Sequence, residues 1–220
     1  MDLALVTAIY GGYDKLKPLM PNHGFKKAIC VTDDPELSGE NWEIVLKPAH
    51  SIHPRLAAKY PKFQPFDFVD ADVCVWLDGS FEIKSDKFKD FCEYSIKDFD
   101  FVVWSHPDRR MRNCLYDEAT LAQDWPKYRA YPIRQQTDAY RADEMPPNFG
   151  LWACGTILWK NNDNAKQFGK IWLEENIKWS IHDQISFPYL VWKHKPNFGE
   201  FEAHEYDNEF IEWFHHRDLN

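Results

Sequence analysis

Short apolar runs, each stopped abruptly by polar or turn residues, alternate along the chain with amphipathic stretches. Leu3-Ala4-Leu5-Val6-Thr7-Ala8-Ile9 is the first such run and ends in Tyr10-Gly11-Gly12-Tyr13-Asp14. Lys27-Ala28-Ile29-Cys30-Val31-Thr32 is the second, stopped by Asp33-Asp34-Pro35, and Trp42-Glu43-Ile44-Val45-Leu46 the third. Near-continuous apolarity predicts strands of a parallel sheet covered on both faces. Residues 55–60 read as a short helix broken by Pro61, and residues 87–96 as a longer one. Strands are expected at residues 73–77, 100–104 and 151–159, with a continuation at 81–83. Residues 109–145 are polar and helical in two pieces around Pro132; residues 164–179 and 183–192 are helical, the latter despite Pro188. Strands alternating with helices predict an α/β fold: a mostly parallel sheet flanked by helices. A single domain over residues 1–220 is expected, with a ligand-binding half at 1–105 and a second half at 106–220.

Charge and composition narrow the partners. The 35 acidic against 26 basic residues leave a net charge of −9, which argues against a general nucleic-acid binder. No run approaches the ~20 apolar residues of a membrane-spanning helix. The N-terminal run has no basic region before it and reads as a strand rather than a signal peptide. Cys30, Cys74, Cys92, Cys114 and Cys154 are scattered and contain no CxxC pair, so reduced thiols and a cytoplasmic location are expected. The 10 Trp, 10 Tyr and 16 Phe suit stacking on sugar rings, although most belong to the core.

Candidate chemistry collects at strand ends. In Val73-Cys74-Val75-Trp76-Leu77-Asp78-Gly79-Ser80 a buried strand delivers the Asp78 carboxylate to the rim of the sheet, where it could hold Mg²⁺ or Mn²⁺. The structural alternative is a turn organised by Asp78 around Gly79. Gly11 and Gly12, between Tyr10 and Tyr13, could let backbone approach a phosphate or could simply form a tight turn. Asp33 closes the second strand, where an acid can meet a ribose; Asp34-Pro35 is equally turn chemistry. Arg55 and Lys59 are four residues apart and could clamp a diphosphate, or face solvent. Asp183 opens a helix beside His182 and Gln184: it could be a general base or an N-terminal cap. His106 and His216, with His215 beside it, are candidate metal or phosphate ligands. Trp152, between Gly150 and Gly155, is the expected stacking platform.

Several of these stretches together resemble one family, the glycosyltransferase-like domain of plant mucilage-related proteins and their bacterial relatives. The resembling segments are Thr7-Ala8-Ile9-Tyr10-Gly11-Gly12-Tyr13-Asp14-Lys15-Leu16, residues 55–62, Val75-Trp76-Leu77-Asp78-Gly79-Ser80, His106-Pro107, Gly150-Leu151 and His182-Asp183-Gln184-Ile185-Ser186-Phe187-Pro188-Tyr189. The resemblance implies a GT-A-like fold and a nucleotide-sugar donor. GT-A enzymes hold a divalent metal with an Asp-x-Asp motif; here Ser80 stands where the second acid would be, which shifts a ligand to a residue such as His216 or puts the metal in question.

The resulting expectation is a glycosyltransferase acting on a carbohydrate or glycoconjugate acceptor. Tyr10, Gly11, Gly12, Tyr13 and Asp33 would hold the nucleoside, and Arg55 and Lys59 the diphosphate. Asp78 would bind Mn²⁺ or Mg²⁺ with His216, or the donor sugar, and would be catalytic together with Asp183. Ser80, His106, Trp152, Gly155, His182 and Gln184 would contact substrate. Asp183 would be the base of an inverting reaction, or contact donor hydroxyls in a retaining one. Two other classes fit the same residues: a non-catalytic sugar- or nucleotide-binding domain, and a metal-dependent hydrolase.

Overall fold

A computed structural model describes residues 1–51, 53–108 and 110–214. The expected ligand His216, its neighbour His215, and Arg109 lie outside them. The elements run β1 (Leu3–Ile9), β2 (Lys27–Thr32), β3 (Glu43–Leu46), α1 (Pro54–Ala57), α2 (Lys59–Phe63), β4 (Val73–Leu77), β5 (Phe81–Ile83) and α3 (Phe88–Ser95). They continue with β6 (Phe101–Ser105), α4 (Leu115–Asp124), α5 (Ile133–Ala142), β7 (Trp152–Lys160), α6 (Asp163–Lys178), α7 (Asp183–His194), β8 (Phe198–Glu200) and β9 (Ile211–Trp213). Single 3₁₀ turns at Pro65–Asp67 and Pro126–Tyr128 follow α2 and α4.

Seven strands form the main sheet in the order β3-β2-β1-β4-β7-β6-β8, and β5 pairs with β9 in a separate two-stranded sheet. β3, β2, β1 and β4 are mutually parallel, while β7 runs antiparallel between β4 and β6. This is the mostly parallel GT-A-like α/β sheet expected. The antiparallel direction of β7 was not predicted, because direction leaves no trace in an apolar run.

Period-two alternation divides the strand side chains between two cores. Ala4, Val6, Ala8, Cys74 and Trp76 face one side, where Phe63, Leu115, Tyr140, Phe168, Trp172 and Phe187 of the flanking helices cover them. Leu3, Leu5, Val75 and Leu77 face the other, against Phe88, Cys92, Phe81 and Ile211. Both faces are therefore buried, which is why the strands read as continuous apolar runs.

The helix before β4 differs from expectation. It is not ended by Pro61 but divided at Ala58, and Pro61 sits in the first turn of α2. A first-turn N–H has no helical partner, so proline costs little there. The break turns Arg55, Lys59 and Lys62 toward the C-terminal edge of the sheet, where all three line one cleft. The C-terminal stretch supplies β8 to the sheet edge, and β9 to β5. All five cysteines are buried and free. No helix among the described residues is long and apolar enough to cross a membrane.

Candidate active site

The chain leaves β1 in one direction, through β2 and β3, and returns on the other side at β4. Their C-terminal ends therefore diverge at a switch point, where open α/β sheets bind ligands. The cleft lies there. Its first chamber is walled by Ile9 at the end of β1, Tyr10 and Tyr13 after it, Arg55 and Lys59 of the split helix, Trp76 of β4 and Asp78 just beyond it. Its second shares Arg55, Lys59 and Asp78 and extends to Ser80, Lys127, Gly155, His182, Asp183 and Glu205, among others.

At the junction is a buried charge cluster. Lys62 Nζ donates to Asp78 Oδ1 at 3.0 Å and to Asp183 Oδ2 at 2.8 Å; Lys59 Nζ reaches the same Asp183 oxygen at 2.5 Å. Trp76 Nε1 donates to Asp78 Oδ1 at 2.6 Å. Burial alone would raise the Asp183 pKa, but the two ammonium groups outweigh it and hold the carboxyl at about 2. Burial likewise opposes the charge on Lys62, and Asp183 with Asp78 overcomes it, leaving its pKa above the ordinary value. Lys59 has the weaker set of partners, and burial pulls it down to about 8. Arg55 donates to the Tyr128 hydroxyl at 3.1 Å and stacks over the Tyr128 ring, while its buried Nη1 has no hydrogen-bond partner.

Asp183 is brought here by the start of α7. Its predecessor His182 is the extended N-cap, and the imidazole stacks on Tyr128 with centroids 4.5 Å apart. Burial lowers the His182 pKa to about 3; Asp183 opposes this and Lys127, Lys59 and Arg55 add to it. The ring is therefore neutral, and its Nε2–H donates to Glu118 Oε1 at 2.9 Å, whose other oxygen is held by Arg112. The chain thus spends His182 on positioning α7, although the ring also lines the chamber.

The glycine turn adopts left-handed backbone at both Gly11 (φ 58°) and Gly12 (φ 61°). A Cβ on Gly11 would stand 2.7 Å from Pro54, so the turn and the α1 start fit together only without a side chain. Asp33 Oδ1 accepts the Gly11 N–H at 2.9 Å and stands behind the turn rather than in the chamber. Tyr10 and Tyr13 do line it.

Trp152 and His106, like Asp33, Gly11 and Gly12, do not line the cleft. Trp152 is 8% exposed, meets Phe187 and Phe198 edge-on at 5.5 Å, and donates Nε1–H to Glu200 Oε1 at 2.8 Å. It is a core residue because α7 covers its face of β7. His106 is buried, accepts the Asp108 N–H at 3.1 Å through Nδ1 and so forms a turn; burial, then Arg112, lowers its pKa to about 4. Ser80, Gly155, His182 and Gln184 all line the second chamber.

Sequence reasoning passed over Glu205, Tyr206, Trp213 and Lys127, which also line that chamber. The first three come from the C-terminal stretch, which is rich in acids and aromatics but carries no period that would place them. Glu205 is 2% exposed and its Oε2 has no hydrogen-bond partner.

The expected Mn²⁺ or Mg²⁺ site pairs Asp78 with His216, and His216 lies outside the described residues. Hard divalent cations need several oxygen ligands. Here Asp78 Oδ1 already takes two N–H donors and Asp183 two ammonium groups, so a cation would meet Lys59 and Lys62 first. Among the described residues no group of three or more His, Cys, Asp or Glu side chains could hold a metal ion.

No curated protein matches the chain at a significant level. A family match covers residues 22–216, so that β1 and its glycine turn precede the matched span. With that span embracing β2 through β9 and the cleft walls they supply, the chain belongs to the family described as TOD1/MUCI70, glycosyltransferase-like domain.

Proposed function

We propose that the protein is a glycosyltransferase that takes a nucleotide-sugar donor across its two chambers. The nucleoside occupies the first, between Tyr10, Tyr13 and Arg55. The diphosphate lies at the junction, and the sugar with its carbohydrate or glycoconjugate acceptor in the second. The observation that carries this reading is the set of cations on the shared wall, Arg55 and Lys59 with Lys127 beyond, in a protein of net charge −9. A diphosphate places several anionic oxygens together, and the unpartnered Arg55 Nη1 is a donor waiting for one.

In this reading the protein's own cations do the work of the divalent ion: they neutralise the leaving diphosphate. Asp183 keeps Lys59 and Lys62 charged and in place, and its unpartnered Oδ1 is available to a donor-sugar hydroxyl. Held at about 2, it is a weak proton acceptor.

A thermal-shift series with nucleoside diphosphates and their sugar conjugates, run with Mn²⁺ and with EDTA, tests the reading. A ligand at 100-fold over its Kd stabilises by about 2.7 kcal/mol. At least one nucleotide is expected to shift the wild-type transition in EDTA, and Arg55→Ala to remove most of that shift. Absence of a shift with every nucleotide, with and without Mn²⁺, would overturn the assignment. A shift only with Mn²⁺ would return the metal to the site.

A further inference from the structure

Four acids line the two chambers among the described residues: Asp14, Asp78, Asp183 and Glu205. Asp14 belongs to the nucleoside side. Asp78 and Asp183 hold the lysines described above. Glu205 differs from all three. It lines only the second chamber, forms no ion pair among the described residues, and keeps Oε2 buried without a partner.

Its placement is constructed rather than incidental. Asn208 Nδ2 donates to the carbonyls of His204 and Glu205 at 2.9 and 2.8 Å, and Asn208 Oδ1 accepts the N–H groups of Phe210 and Ile211. That clasp leads directly into β9, whose pairing with β5 and the Phe214 N–H to Ser80 carbonyl bond of 2.8 Å fix the loop against the end of β4. The carboxyl then rests on the bare face of Gly155: a Cβ there would stand 3.1 Å from Oε1. Oε1 is thereby seated, and Oε2 is left for a ligand.

We infer that Glu205 is a catalytic residue of the transfer, its Oε2 taking the proton of the acceptor hydroxyl as that oxygen attacks the anomeric carbon. The new bond joins the acceptor oxygen to the anomeric carbon. The bond from that carbon to the phosphate oxygen breaks, and its electron pair leaves with the diphosphate, whose charge Arg55, Lys59 and Lys127 meet. The proton ends on Glu205. Attack by a base-activated hydroxyl opposite the leaving group makes the reaction inverting. Burial, reinforced by Asp78, raises the Glu205 pKa to about 8, against smaller opposing effects of Tyr206 and Lys62. A base works best when its pKa lies near the operating pH, and this one does while Asp183 does not.

The inference rests on the nucleotide-sugar reading, and the test separates the two. Wild-type protein and Glu205→Gln are given UDP-, GDP- and TDP-hexoses with water as acceptor, and the released sugar is followed by proton NMR. Glu205→Gln is expected to bind the donor within twofold of wild type while kcat falls by about 10²–10⁴-fold. The first-formed sugar should carry the inverted anomeric configuration. Wild-type kcat/KM should rise with pH and level off above about 8, and the variant should lose that limb. If no donor binds wild type, the functional reading fails and the inference with it. If wild type binds and turns over but Glu205→Gln turns over equally, or the product retains configuration, or the wild-type profile is flat from pH 6 to 9, only the role of Glu205 falls. The last two results need no variant, so poor folding of Glu205→Gln would not protect the inference.

Discussion

The start of α7 and the loop before β9 each bury one carboxyl group in the same chamber, and they hold it in opposite ways. Asp183 is clamped by Lys59 and Lys62 and stays ionised down to about pH 2. Glu205 has no cation of its own and stays protonated up to about pH 8. The two are similarly buried, so burial does not decide their charge; the count of ammonium partners does. The contrast divides the labour of the site. The α7 side is a rigid charged frame, while the β9 side offers a group whose protonation can change during a reaction.

The largest expected effect comes from breaking the frame. Lys62→Met keeps much of the side-chain volume but removes the one ammonium that pairs with both Asp78 and Asp183 among the described residues. Removing one partner of a buried charge cluster costs about 3–5 kcal/mol, read as a lower urea midpoint at unchanged slope. A loss under about 1 kcal/mol would show that the cluster is not the rigid unit described. Neutralising the other carboxyl should behave differently, because Glu205 is uncharged in the fold at neutral pH. A carboxyl raised from 4.5 to about 8 contributes stability that is complete below the unfolded value and lost as pH rises through the folded one. Glu205→Gln should therefore match wild type near pH 5 and become the more stable of the two by pH 9. Parallel stability curves over that range would contradict a buried neutral Glu205. Asp183 has the reverse sign: its contribution is complete above 3.8 and lost as pH falls through about 2.

The smallest effects belong to the glycine turn that frames the first chamber. Gly12→Ala meets nothing within 4 Å and suffers only the left-handed backbone, about 1–2 kcal/mol. Gly11→Ala adds the collision with Pro54 and should lower the unfolding midpoint further. Equal losses in the two variants would mean that the turn and α1 are not tightly fitted.

These residues also show why parts of the site could be read early and parts could not. Asp78, Arg55 and Lys59 were legible because each is marked locally, by an abrupt strand end or a helical spacing. Trp152 was misplaced because its flanking glycines look the same whether the ring faces a ligand or, as here, Phe187 and Phe198. Glu205 was missed because nothing in residues 200–210 has a period; its burial depends on the Asn208 clasp and on β5, far away in the chain.

The sequence alone determined strands β1 to β7, most of the helices between them, and the family resemblance, since these follow from apolar periodicity and local motifs. It also determined that a carboxylate would stand at the end of β4. Tertiary structure decided what surrounds that carboxylate. It brings Lys62 to within 3.0 Å of Asp78, and Lys59 to within 2.5 Å of Asp183, so both carboxylates stand among cations. Folding the C-terminal stretch back over Gly155 places Glu205, which forms no ion pair among the described residues, in the second chamber. The physical reason is that the charge state of a buried group is set by its neighbours in space, and those neighbours come from opposite ends of the chain.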